Sequence, residues 1–277
     1  MRTKLRWNRR KTLLCCLGFA LFLLLLLIGV GTALTQAAQE TDFSRKNLPP
    51  SLSYPFGTDW MGRNMLYRTL AALSLSIRLG LLTAAISSLL AFVLGVAAAV
   101  LGRVADAVIG CAIDLVMGIP HILLLLLISV AMGRGLRGVI VGIALTHWTS
   151  LARVLRAEAL QIKESPYVRI ARKLGKGPFY LARKHMALQL LPQLMIGAVL
   201  LFPHAILHEA SITFLGFGLS DKQPAIGVIL SESMQYLAMG RWWLAVFPGA
   251  LLVLTVLLFY GIGNGVEALF SSGRVHQ

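Results

Sequence analysis

The sequence predicts an all-α membrane protein with about six transmembrane helices. Apolar residues make up 57% of the 277-residue chain and charged residues only 13%, against roughly 25% charged in an ordinary soluble domain. The mean hydropathy is +0.77. A soluble chain of this size would still need a charged coat, so lipid must solvate much of this surface. The 26 Lys and Arg residues cluster in short segments between apolar runs, the pattern of membrane topology.

The N-terminus reads MRTKLRWNRRK and is followed by an apolar run, Leu13 to Leu34. That run exceeds a signal-peptide core of about 7–15 residues, so it is expected to be an uncleaved first span. Residues 35–75 are polar and irregular, with Pro49, Pro50 and Pro55. They are expected outside. Further spans are expected at about Ile77–Leu101, Cys111–Met132, Val139–Leu151, Ala187–Leu207 and Leu244–Gly265. A hinge, Gly102 to Asp106, and a tight turn, Gly133 to Gly138, separate the second, third and fourth. Trp242 and Trp243 mark an interface before the sixth.

With six spans both termini share one side. The positive-inside rule puts the basic N-terminus and the loop 153–185 in the cytoplasm. The resulting division is 1–34, N-terminal cytoplasmic segment and first span; 35–75, external segment; 76–268, membrane domain; and 269–277, short cytoplasmic tail. Nucleic acid is not an expected partner, because no aromatic platform lies beside the basic residues. Cys15, Cys16 and Cys111 have neither disulfide nor metal spacing.

The loop holds the sharpest local signal. Pro166 suits a first helical turn and Gly175 suits a stop. A short helix from Pro166 to Leu174 is therefore expected. Tyr167, Ile170, Ala171 and Leu174 fall on one stripe, with Arg169, Arg172 and Lys173 on the other face. Periodicity leaves two uses open, resting on anionic lipid or docking in a partner's groove.

This loop resembles the cytoplasmic coupling loop of permease subunits in binding-protein-dependent ABC importers. The shared residues are Tyr167, Val168, Ala171, Arg172, Gly175, His185 and Pro192. Arg169 and Ile170 depart from the family's Glu-Ala. Gly57-Thr58-Asp59-Trp60-Met61-Gly62-Arg63 resembles the segment before the second span of oligopeptide, dipeptide and nickel permeases, with Asn64 where Asp is common. Asp106, Asp114 and Pro120 match the next part of the pattern, with Cys111 in place of an Arg. His147-Trp148, Ala152-Arg153 and Arg156 resemble the end of the fourth span. Glu209, Phe214-Leu215-Gly216-Phe217-Gly218, Pro224 and Gly227 resemble the external re-entrant segment. The chain is thus identified as resembling a C-type permease, nearest the nickel branch.

The resemblance implies the type I ABC importer permease fold. It implies a second homologous permease subunit, two ATPase subunits and an external substrate-binding protein as partners, in a bacterial inner membrane. It assigns ATPase coupling to Tyr167, Val168, Arg169, Ala171, Arg172, Leu174 and Gly175. No G-x-x-x-x-G-K-[ST] occurs, so ATP and Mg are expected on the partner ATPases and no cofactor on this chain. The chain is expected to be a non-catalytic translocation subunit.

Candidate pathway residues are Asp114, His204, His208 and Glu209. Asp114 interrupts an apolar run, where a buried acid costs several kcal/mol and is functional by default; an ion pair with another subunit is the alternative. His204 and His208, at i and i+4, could present two imidazoles to a metal or simply bond carbonyls and water. Paired histidines also occur in the nickel branch, which points the expected cargo to nickel or a metal chelate, with dipeptides or oligopeptides as the alternative. His208-Glu209 begins like a zinc-protease motif but Ile212 replaces its second His. A secondary transporter or channel would need an inverted repeat and its own ion site, and neither is visible. Gly133 to Gly138 matches G-x-G-x-x-G without the strand that a dinucleotide site requires.

Overall fold

The computed structural model describes residues 9–220 and 223–271. Arg2, Lys4 and Arg6 of the basic N-terminus, Lys222 and the tail 272–277 lie outside the described residues. The described chain is mainly helical, with α1 Arg9–Ala33, α2 Met65–Val100, α3 Arg103–Gly118, α4 His121–Ala131, α5 Gly135–Lys163, α6 Pro166–Lys173, α7 Pro178–Leu181, α8 Ala187–Phe214, α9 Ile226–Leu237 and α10 Trp243–Ser271. A π-turn, Ala182–Met186, joins α7 to α8. Among the described residues, five helical stretches are long and apolar enough to cross a membrane, and α3 with α4 would make a sixth.

The expected third span, Cys111–Met132, is not one straight helix. Its two halves meet at 97°. Pro120 has no N–H and excludes the α conformation from the residue before it, and Ile119 is extended at φ −94, ψ 136. Other boundaries also move, with α8 running on to Phe214 and α10 to Ser271. α2 begins at Met65, where Asn64 Oδ1 accepts the N–H of Leu66 at 3.0 Å, an N-cap that serves as well as Asp. α5 runs on to Lys163, so Arg153 and Arg156 stand on a helix rather than in the loop.

The chain divides into two compact units, and α2 runs through the boundary. In the unit of residues 1–78 and 221–277, α1 packs closely on the start of α2. A Cβ on Gly31 would stand 2.2 Å from the Leu70 carbonyl oxygen, and Thr32 and Ser74 hydroxyls meet at 3.0 Å. Small residues of this kind bring membrane helices together. The Gly57–Arg63 segment is fixed by charge. Asp59 Oδ1 accepts the N–H groups of Met61 and Arg63 at 2.8 and 2.9 Å, and its other oxygen pairs with Arg63 and Arg68.

In the unit of residues 79–220, α5 lies against α3, α4 and α8. Leu125, Val139, Ile143, Ala205 and Ile212 form its buried apolar core. A Cβ on Gly138 would meet the Ser129 carbonyl oxygen at 2.7 Å, and one on Gly197 would meet Leu151 Cδ1 at 2.3 Å. These glycines set the approach of α4 and α8 to α5. Two ion pairs, Arg156–Asp106 at 2.5 Å and Arg153–Asp114 at 2.8 Å, hold α3 to α5 just below the bend.

Candidate functional site

Two features of the 79–220 unit carry chemistry. The first is the short helix α6. Pro166 occupies its first turn. Its end is a Schellman motif: Gly175 N–H donates to the Arg172 carbonyl at 3.0 Å and Lys176 N–H to the Ala171 carbonyl at 3.1 Å. That closure needs a left-handed residue, and Gly175 has φ 78. Val168 is fully buried and anchors the helix. Tyr167 Oη donates to Gln189 Oε1 at 2.8 Å, tying α6 to the first turn of α8. His185, in the π-turn, lies between the rings of Tyr167 and Tyr180, 5.8 Å from each.

The expected stripe is present but divided in use. Tyr167, Ile170 and Leu174 are exposed, Leu174 at 72%, so this chain leaves an apolar ridge uncovered. Arg169, one of the two departures from the resemblance, pairs with Glu164 at 2.6 Å. The Arg169 hydrogen bond holds the Glu164 carboxyl below its usual range.

The second feature is a cavity of about 620 Å³, within the size range of small-molecule sites. The bend at Pro120 places His121 in the first turn of α4, α5 contributes His147, and α8 contributes His204 and His208. Thr149 and Ser150 add hydroxyls to its wall. The rings of His121, His147 and His208 are mutual neighbours, with centroids 4.6, 4.5 and 5.1 Å apart. One ring nitrogen from each lies within 4.8 Å of the others.

His147 is buried, with only 6% of its surface exposed. Its Nδ1 stands 3.1 Å from the Ile143 carbonyl oxygen. A carbonyl can only accept, so this contact requires the proton on Nδ1, where the Thr146 hydroxyl oxygen, also 3.1 Å away, can accept as well; that tautomer leaves the Nε2 lone pair available. That Nε2, like the Nε2 of His121, is buried without a hydrogen-bond partner.

The family model for binding-protein-dependent transport system inner membrane components matches residues 91–271. The chain belongs to that family. This permease is 30% identical over 264 residues to the dipeptide transport system permease protein DppC of Bacillus subtilis, covering 94% of this chain and 82% of that one. It is also 30% identical over 268 residues to the probable D,D-dipeptide transport system permease protein DdpC of Escherichia coli, covering 96% and 90%. An inward-facing structure of the methionine ABC transporter MetNI shares its fold, with a TM-score of 0.61 at 20% identity, over 74% of this chain and 97% of that one. The family consists of membrane components of transport systems rather than catalysts. The resemblance to ABC importer permeases holds, whereas DppC and DdpC bear dipeptide names and not nickel names.

The four expected pathway residues part company in this permease. His204 and His208 both line the cavity, but only His208 joins the close cluster. Its companions there are His121 and His147, which the sequence pattern did not mark as metal ligands. Glu209 does not line the cavity: it is fully buried and accepts a hydrogen bond from Thr213 Oγ1 at 3.1 Å. Thr213 in turn receives the Leu219 N–H at 3.2 Å. Glu209 thus braces the turn after α8. Asp114 is not a buried acid. Its side chain is 75% exposed and it pairs with Arg153 of its own chain.

Proposed function

We propose that this permease is the translocation subunit of an ATP-driven importer for small peptides. The observation that carries the cargo reading is the 30% identity with DppC across 94% of the chain. In this reading a second permease subunit completes the pathway, an external binding protein delivers the peptide, and two ATPase subunits bind and hydrolyse ATP with Mg. The helix α6 faces the cytoplasm. Its uncovered ridge of Tyr167, Ile170 and Leu174 supports the docking use over a lipid rest, since an apolar helix face fits a groove in a partner. ATPase closure would then reach the spans through Val168, the Tyr167–Gln189 bond and the Schellman closure at Gly175.

A second cargo reading, nickel or a metal chelate, is favoured by one observation, the clustered imidazoles of His121, His147 and His208. Uptake of labelled dipeptides and of labelled nickel, free and chelated, by cells with and without the gene separates the two. Gene-dependent dipeptide uptake that follows the ATPase supports the first. Dipeptide uptake that is unchanged without the gene overturns it, and gene-dependent uptake of nickel alone puts the second in its place. Transport by this chain in liposomes without any ATPase would overturn both and favour a secondary transporter or channel.

A further inference from the structure

We propose that His121, His147 and His208 form a three-imidazole station for a divalent transition-metal ion, carried bare or in a chelate with open coordination positions. Three independent helices contribute the ligands, and the bend at Pro120 exists in the right place to deliver the first of them. The ring nitrogens lie within 4.8 Å of one another. A metal at about 2.1 Å from each nitrogen sets them roughly 3.4 Å apart, so side-chain rotation of an ångström or so closes the site.

The inner environment fits ligation. His147 is oriented by its Nδ1–H bond to the Ile143 carbonyl, the outer contact that metal-binding histidines ordinarily use. Its Nε2 and that of His121 are buried and unpartnered, and a buried nitrogen lone pair without a partner costs free energy that a bound cation recovers. Neutral imidazoles select the nitrogen-preferring ions, zinc, copper, nickel and cobalt, over magnesium and calcium, which take oxygen ligands. Among the described residues, no carboxylate belongs to the cluster. Three protein ligands leave a coordination position open. A station on a transport path has to release what it holds, and partial coordination suits that need. His204, on the same wall one helical turn before His208, is placed to take over the ion.

The station's use in transport rests on the second, metal-cargo reading of the importer, but its binding chemistry does not. The test uses the tag-free permease assembled with its ATPase and partner subunits in lipid nanodiscs, without the external binding protein. Nickel chloride, nickel nitrilotriacetate, which leaves positions open, and nickel-EDTA, which leaves none, are titrated separately. We expect saturable binding of nickel chloride, with or without the nitrilotriacetate complex, no binding of nickel-EDTA, and no competition by magnesium. Binding of the nitrilotriacetate complex shows that the station accepts a chelate; binding of the free ion alone shows that it takes the bare cation. H121Q, H147Q and H208Q should each weaken binding at least tenfold, while H185Q should leave it unchanged. Should a variant fail to assemble, footprinting of the unaltered complex with diethyl pyrocarbonate reads the same site at its half-buried member: nickel should protect His208 and not His185. Absence of nickel binding, or binding indifferent to all three substitutions with no protection, overturns the station. ATP-driven uptake by the same complex in sealed proteoliposomes, with the external binding protein added, reads the importer assignment separately, so a working transporter that binds no nickel defeats only this proposal.

Discussion

Arg68 in α2 donates two hydrogen bonds to Glu232 in α9, at 2.7 and 3.0 Å, and a third to Asp59 at 2.9 Å. The guanidinium and the Asp59 carboxylate are each only 4% exposed. A charge so buried is tolerable only while its partners remain. Asp59→Ala should therefore destabilise the permease by about 3–5 kcal/mol, read as a lower unfolding midpoint in detergent. An unchanged midpoint would remove the network from the fold's supports.

Gly175 closes the Schellman motif at φ 78. A Cβ there meets no other atom, so Gly175→Ala tests conformation without crowding. It should cost about 1–2 kcal/mol locally and lower transport-coupled ATP hydrolysis more than membrane insertion. Ala171→Glu, placed on the expected docking stripe, should abolish uptake while the subunit still inserts. Normal uptake by both variants would sink the coupling role of α6.

Arg169 pairs with Glu164 on an exposed surface. Glu164 has a depressed carboxyl pKa, so whatever the pair contributes is present above the ordinary carboxylate range and is lost as pH falls through the lowered value. At neutral pH, Arg169→Ala should leave the unfolding midpoint unaltered, because exposed pairs contribute little. Should Arg169 meet the ATPase, the same variant should weaken subunit assembly, measured by co-purification. Retained assembly would confine Arg169 to its pairing with Glu164.

The packing of α8 on α5 leaves no room at Gly197, where a Cβ would overlap Leu151. Gly197→Val should cost about 1–3 kcal/mol by overpacking and should also displace the wall that carries His204 and His208. Uptake should fall more steeply than stability does. A variant with normal uptake would show that the wall tolerates displacement.

The helix α6 was legible because its signals are local: Pro166 opens it and Gly175 ends it. The spans were legible as apolar runs, though their ends were not. A helix does not stop where its apolar run does, so Arg153 and Arg156 read as loop although α5 carries them onward to Asp114 and Asp106. The break at Ile119-Pro120 had a local signal in the proline, but the unbroken apolar run around it masked the bend. The imidazole cluster was half visible. His204 and His208 share a helix face, a relation of sequence spacing. His121 and His147 join His208 only through the packing of α4 and α8 on α5, which no spacing rule encodes.

The π-turn between α7 and α8 has a mechanical meaning. Ala187 N–H reaches back five residues to the Ala182 carbonyl, so this stretch holds one residue more than an α-helical turn would. Each helical residue advances the chain by about 100°. The extra residue therefore sets the phase between the α7 end of the helix and the face of α8 that bears its histidines. Deleting one residue there would keep the helix and spoil its timing, like a gear set one tooth out.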